Sequence, residues 1–257
     1  MDFGLKGKVA LITGGSEGIG KAAAEVLAEE GAHVVIVARR KDVLELAASA
    51  IRSKGGSVLP IAADVTDAQA VEDFVAQAVA HFGRLDIIVN NAGTSSAKPF
   101  QSATDEIWQE DLDLKLFAAI RVSRAAIPHL RKQGGGRIIN ITTVSGKQPA
   151  AKSVPTSVSR AAGIALTKAL SKEFAADNIL VNTVSVGVFK SGQQERAAER
   201  QNLALDQHYD KLGDGVPLGR VGEAREAANV IAFLASEAAS YVTGASVNVD
   251  GGTSGVV

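Results

Sequence analysis

The sequence predicts an α/β protein, a doubly wound parallel sheet of about seven strands with helices on both faces. Three observations predict it. Short β-branched runs alternate with longer helix-patterned segments along the whole chain, the pattern of βαβ units. Crossovers of that kind are right-handed, which winds helices onto both faces of one sheet. No break in composition and no internal repeat marks a second unit, so residues 1–257 read as one domain.

Each element follows in order. KVALIT (8–13) opens the sheet and leads into GKAAAEVLAEEG, whose alanines and leucine suit one helical face. HVVIVA (33–38) and SVLPIAA (57–63) are the next two strands, and AQAVEDFVAQAVAHFG is the helix after them. LDIIVN (85–90), GRIINIT (136–142), ILVNTV (179–184) and ASVNVD (245–250) complete the set. A long helix begins within PAAKSVPTSVSRAAGIALTKAL (149–170), with Thr156 and Arg160 four apart on one face at its mouth. The polar, helix-prone segment 191–215 interrupts the alternation late in the chain. Its position makes it a lid over a site; the alternative is a solvated connector.

Composition bounds the function. Net charge is −1, so there is no basic field to hold nucleic acid or an anionic membrane. The absence of cysteine excludes thiolate metal sites and a cysteine nucleophile, and fits a reducing cytoplasm. The four histidines (33, 81, 129 and 208) lack metal-ligand spacing, so no metal site is expected. No run reaches transmembrane length and the first residues lack an apolar signal core, so the chain reads as soluble.

TGGSEGIG (13–20) joins the first strand to the first helix. Gly14 allows a tight turn, Gly18 a close backbone approach to a pyrophosphate, and Gly20 close packing of helix on strand. The helix start adds free N–H groups and the positive end of its dipole. Ser16, Glu17 and Ile19 complete this Rossmann-type dinucleotide loop. At the end of the second strand stand Arg39 and Arg40 rather than an acidic residue. Cations there favour the 2′-phosphate, so NADP(H) is expected in preference to NAD(H). Glu17 opposes that phosphate, and a solvated helix start is the plainer reading of the arginines.

TGGSEGIG, AADVTD (62–67), NNAG (90–93), VGVFKS (186–191) and the tail from PLGRVGEAREAANV to VNVDGG together resemble the short-chain dehydrogenase/reductase family over nearly the whole chain. The resemblance implies an oxidoreductase acting on a small-molecule carbonyl or alcohol, and a homotetramer. It implies that Asp64 and Val65 flank the adenine, that Asn91, Ala92 and Gly93 line the cofactor and hold the central strands, and that Ser191, after Gly187, faces the nicotinamide carboxamide. Val186 replaces the usual proline before Gly187. Tyr241, in SYVTG, falls at a structural position of the family.

The family's reductases use Asn, Ser, Tyr and Lys. Motif register puts those four at Lys115, Thr143, Thr156 and Arg160. Thr143 keeps a hydroxyl that can orient a carbonyl. Arg160 keeps a charge that can bind the nicotinamide ribose, but it does not release a proton as lysine does. Thr156 is an aliphatic hydroxyl, a much poorer acid than tyrosine. Lys115 has three readings: an acid/base group depressed by burial and nearby cations, an anchor with Arg160 for an anionic substrate, or a side chain that snorkels out or pairs with Asp111 or Asp113. Tyr209, in the lid segment, either enters a closed site or packs within the lid. A catalytically inactive NADP(H)-binding scaffold or regulator is the alternative to an enzyme.

Overall fold

The computed structural model describes residues 3–257. In chain order the elements are β1 (Val9–Thr13), α1 (Gly18–Glu29), β2 (His33–Ala38), α2 (Lys41–Ser53), β3 (Ser57–Ala62), α3 (Ala68–Phe82), β4 (Ile87–Asn90) and α4 (Asp105–Leu112). After one π-helical turn at Asp113–Phe117 come α5 (Ala118–Lys132), β5 (Gly136–Thr143), α6 (Thr156–Glu173), β6 (Ile179–Val186), α7 (Gly192–Arg200), α8 (Leu205–Gly213), α9 (Ala224–Ala235) and β7 (Ser246–Val249). Every strand run read from the sequence is a strand, with ends within about two residues. The long helix starts at Thr156 itself; residues 149–155 precede it as loop and turn.

The seven strands form one sheet in the order β3-β2-β1-β4-β5-β6-β7, all parallel. Strands buried on both faces must be apolar throughout. β1 is buried at every position and splits its side chains by period two. Ala10 and Ile12 join one core with α1, α2 and α9. Val9 and Leu11 join the other with α3, α5 and Phe174 at the end of α6. Pro60, which lacks a ladder donor, lies on β3 at the edge of the sheet.

This topology positions the site. Strand order reverses between β1 and β4, and a crevice opens there beyond the carboxyl ends of the strands. A buried polar chain holds the neighbouring strands in register. Asn90 Nδ2 donates to Asn140 Oδ1 at 2.8 Å and Asn140 Nδ2 to Thr167 Oγ1 at 2.8 Å. Thr183 Oγ1 donates to the same Thr167 hydroxyl at 2.8 Å. β4, β5, β6 and α6 are thereby tied together, which fixes where the mouth of α6 stands.

Candidate active site

All the loops named from the sequence lie at the carboxyl edge of the sheet, each following a parallel strand. The glycine loop leaves β1 with Gly14 at φ +66° and Gly18 at φ +55°, a region that glycine enters without steric cost. Gly20 has a sharper requirement: a Cβ there would come within 2.3 Å of the Gly14 carbonyl oxygen and 2.4 Å of Asn91 Nδ2. Asn91 Nδ2 donates to the carbonyls of Thr13 and Gly14 at 3.0 and 3.1 Å. Thr13 Oγ1 in turn accepts from the backbone N–H groups of Asn91 and Ala92 at 3.0 and 3.1 Å. The loop is stapled to the end of β4 through its carbonyl groups, and the start of α1 faces the crevice. Ser16 is half-buried and Ile19 packs on the core beneath. Asp64 turns the chain after β3, accepting from Thr66 N and Oγ1 at 2.9 and 2.8 Å, and Val65 is buried beside it.

The two arginines after β2 separate in role. Arg39 is exposed, with its nearest carboxylate, Asp64, at 4.0 Å. Arg40 is held by Glu17 at 2.5 Å. Glu17 also faces Arg196 of α7 at 3.7 Å. Two cations thus flank the charge of Glu17. Arg40 is engaged already, and Arg39 is the freer cation.

The glycine loop, the loop after β4 and the start of α7 meet at the same place. Ser191 caps α7, its hydroxyl accepting from Gln194 N at 3.4 Å, and its Cβ lies close to Gly18. Ser95 N, in the loop after β4, donates to Gln193 Oε1 of α7 at 3.4 Å. Gly187 is needed for a reason the motif did not show, since a Cβ there would meet Asp250 Cα at 2.8 Å. Tyr209 is buried in α8, with Lys190 Nζ 5.7 Å from its ring centroid. Tyr241 is fully exposed in the chain and fills no internal structural position.

The mouth of α6 carries a buried charged cluster. Lys115, on the π-helical turn, is completely buried as a side chain and donates to Asp111 Oδ1. It donates as well to Thr156 Oγ1 at 2.9 Å. π-helical turns often occur at functional sites. Thr156 Oγ1 accepts a second bond, from Ser96 N at 2.9 Å, and lies 3.5 Å from Asp111 Oδ1. Ser159 Oγ donates to Asp111 Oδ2 at 2.6 Å. The snorkelling reading of Lys115 is thus overturned, and so is pairing with Asp113, which faces Arg121.

Arg160 is buried beside this cluster. Nη1 donates to the Ile141 carbonyl at 2.9 Å, and its Nε has no partner. A Cβ on Gly93 would lie 2.5 Å from Arg160 Nη2 and 3.5 Å from Lys115 Cγ, so Gly93 is the floor on which both cations rest. Burial pushes the Lys115 ammonium down to about 8, with Arg160 adding to the fall and Asp111 opposing it. Burial likewise pushes Arg160 down to about 10, against the pull of Asp111. Thr143 Oγ1 is paired with Ser145 Oγ at 2.5 Å, so this edge of the site presents two hydroxyls.

The sequence reading missed Asp111 as a site residue, together with Thr13, Ser96, Ser145 and Ser159. Asp111 was the findable one. It precedes Lys115 by four residues, the spacing at which helical side chains meet. Among the described residues no cluster of three or more ligating side chains suits a metal ion. Nor is any helix among them long and apolar enough to cross a membrane.

The residues present fit a dinucleotide. The glycine cradle leaves little room for side chains, the start of α1 faces the crevice, and Arg39 offers an exposed cation at the end of β2. Residues 14–254 match the family described as enoyl-(acyl carrier protein) reductase. A 3-oxoacyl-[acyl-carrier-protein] reductase of Thermotoga maritima is 35% identical over 249 residues, covering 96% of this chain and 98% of that one. The L-sorbose reductase of Gluconobacter frateurii, solved with NADPH and L-sorbose, superposes with a TM-score of 0.96 at 38% identity, covering 100% of both chains. An NADPH-bound short chain oxidoreductase of Pseudomonas aeruginosa PAO1, described as containing an atypical catalytic center, superposes at 0.94 with 37% identity, covering 99% of this chain and 100% of that one.

Proposed function

The chain belongs to the short-chain dehydrogenase/reductase family, and from that premise we propose that it is an NADP(H)-dependent oxidoreductase in which Lys115 replaces tyrosine as the proton-donating group. The substrate is a small carbonyl or alcohol. The observation that carries the reading is the count of protons on Lys115. An ammonium has three N–H donors. Asp111 takes one and Thr156 takes another, which leaves one for a substrate oxygen once the cover over the buried side chain opens.

Gly14, Ser16, Glu17, Gly18, Ile19, Gly20, Arg39, Arg40, Asp64, Val65, Asn91, Ala92, Gly93, Arg160, Gly187 and Ser191 are the residues proposed to line the NADP(H) site. That cofactor, when bound, supplies the hydride. Everything else falls to side chains of this chain. Thr156 accepts from both Lys115 and Ser96, so its oxygen is fully engaged and its role is to aim the ammonium. Thr143 and Ser145 offer hydroxyls to a carbonyl. Arg160, buried without a carboxylate of its own, supplies positive charge where an alkoxide would develop. α7 and α8 form a lid, joined to the glycine loop through Arg196 and Glu17, that keeps water out.

A ketose is the first substrate class to try, because the sorbose reductase is similar over its full length. An anionic group on the substrate would suit the excess of cations at the site. The reading also includes a homotetramer, which would cover exposed Leu218 and Tyr241, and a cytoplasmic location. The test is NADPH consumption against a panel of ketoses, keto acids and 3-oxoacyl thioesters. Turnover that is lost in Lys115→Met supports the reading. Tight NADPH binding without turnover on any of them would instead make the chain an inactive cofactor-binding scaffold.

A further inference from the structure

We propose that Asp111 is a positioning residue: gripped by Ser159, its carboxylate holds the Lys115 ammonium against Thr156 and sets the pH at which that lysine gives up its proton. The proposal rests on the reading of Lys115 as the proton donor and assigns a role to a residue outside the four motif positions.

The geometry carries it. Asp111 is buried at the end of α4, one turn before Lys115. An unpaired buried carboxylate is costly, so its partners define its purpose. Oδ2 takes the Ser159 hydroxyl at 2.6 Å. Oδ1 takes Lys115 Nζ and lies 3.5 Å from Thr156 Oγ1. Ser159 is fixed in turn, since its oxygen also stands 3.0 Å from the Thr156 carbonyl. Two residues on one turn of α6, Thr156 and Ser159, thus orient a carboxylate on α4, and that carboxylate orients a lysine on the turn that follows. The carboxylate's hydrogen-bond partners are Lys115, Thr156 and Ser159. It therefore acts through Lys115.

The charges around Lys115 give the direction of the effect. Asp111 on α4 and Arg160 on α6 are the charged groups acting on it, with opposite signs. Burial and Arg160 both disfavour the ammonium, and Asp111 alone favours it. Removing the negative charge leaves a buried lysine beside a buried arginine, and such a lysine is neutral at lower pH. Carbonyl reduction needs the protonated lysine, whereas alcohol oxidation needs the neutral one. Asp111 thereby biases the site toward reduction near neutral pH.

The experiment is the pH dependence of kcat for carbonyl reduction with saturating NADPH, in the wild-type protein and in Asp111→Asn. The alkaline limb is expected to move down by more than one pH unit in the variant, while KM for NADPH changes less than twofold. The reverse reaction should show the opposite benefit, with alcohol oxidation by Asp111→Asn reaching its plateau at lower pH. A limb that stays in place while kcat falls uniformly at all pH values would show a merely structural role and overturn the proposal. If Asp111→Asn does not fold, Ser159→Ala loosens the grip with the charge retained. It should lower kcat at least threefold with KM little changed, and an unchanged kcat overturns the proposal. Lys115→Met separates the two claims. If that variant turns over like wild type, the reading of Lys115 fails. If it is inactive and the Asp111→Asn limb has not moved, only the role given to Asp111 fails.

Discussion

The two ends of the crevice are built from different materials. The cofactor end is backbone: a glycine turn, a helix start, and carbonyls stapled by Asn91. The proposed catalytic end is side chains: Asp111, Lys115, Thr156, Ser159 and Arg160, among them Asp111 and Ser159, hydrogen-bonded across 48 positions of sequence. A backbone cradle constrains which residues may stand there, because a single added carbon collides. A side-chain cluster can change every identity and still present a proton and a cation at the same place. That difference would let a chain match its family over residues 14–254 while its catalytic end is built from other side chains.

Breaking the catalytic end should cost most. Lys115→Met should lower kcat by about 10²–10⁴-fold, the range for losing a positioned acid. NADPH affinity, read by fluorescence titration, should stay within a factor of about two, since the cradle is untouched. If affinity fell as far as turnover, the two ends would not be separable.

The cofactor end should break through crowding. In Gly20→Ala the new methyl meets the Gly14 carbonyl and the Asn91 amide. A destabilisation of about 1–3 kcal/mol is expected in denaturant unfolding, as for other overpacked sites. NADPH affinity should fall with it, because the loop must shift. A fully stable variant with normal affinity would show that the loop is looser than its geometry.

Charge changes at the phosphate end should be smaller. Arg39→Ala should weaken NADPH about tenfold, the worth of one charge-assisted contact, and leave NADH unchanged. Equal losses for both cofactors would move Arg39 away from the 2′-phosphate. Glu17→Gln should do the reverse and tighten NADPH about two- to fivefold, since it releases Arg40 from an exposed ion pair of modest worth. Weaker binding in that variant would instead mark Glu17 as a support for the cofactor.

The same contrast decides what could be read from sequence. Every strand was legible, because strands buried on both faces must be apolar runs and glycine turns punctuate them. The cradle was legible for a related reason: Gly14, Gly18 and Gly20 are each required by a local clash or a positive φ. The fate of Lys115 was not. Its sequence neighbours allowed a surface lysine, a pair with Asp111 or a pair with Asp113, and only tertiary packing against α6 selects among them. Thr156 looked like a failed proton donor, and in the structure its hydroxyl oxygen accepts a hydrogen bond from Lys115. Glu17 read as a lone acid in the glycine loop, and only the fold sets Arg40 and Arg196, from two other segments, against it. Ser159 and Ser96 carry no motif at all, and their role exists only in the assembled cluster.

The most direct test of Lys115 as the proton donor is the pH profile of NADPH-dependent carbonyl reduction by the wild-type protein. The ammonium form must be present for turnover. Its proton affinity is lowered from the ordinary lysine value to about 8. The rate should therefore be level at lower pH and fall as pH rises through about 8, and the fall should vanish with the residual activity of Lys115→Met. A rate that holds level past pH 9 and breaks near the ordinary lysine or tyrosine range would contradict it.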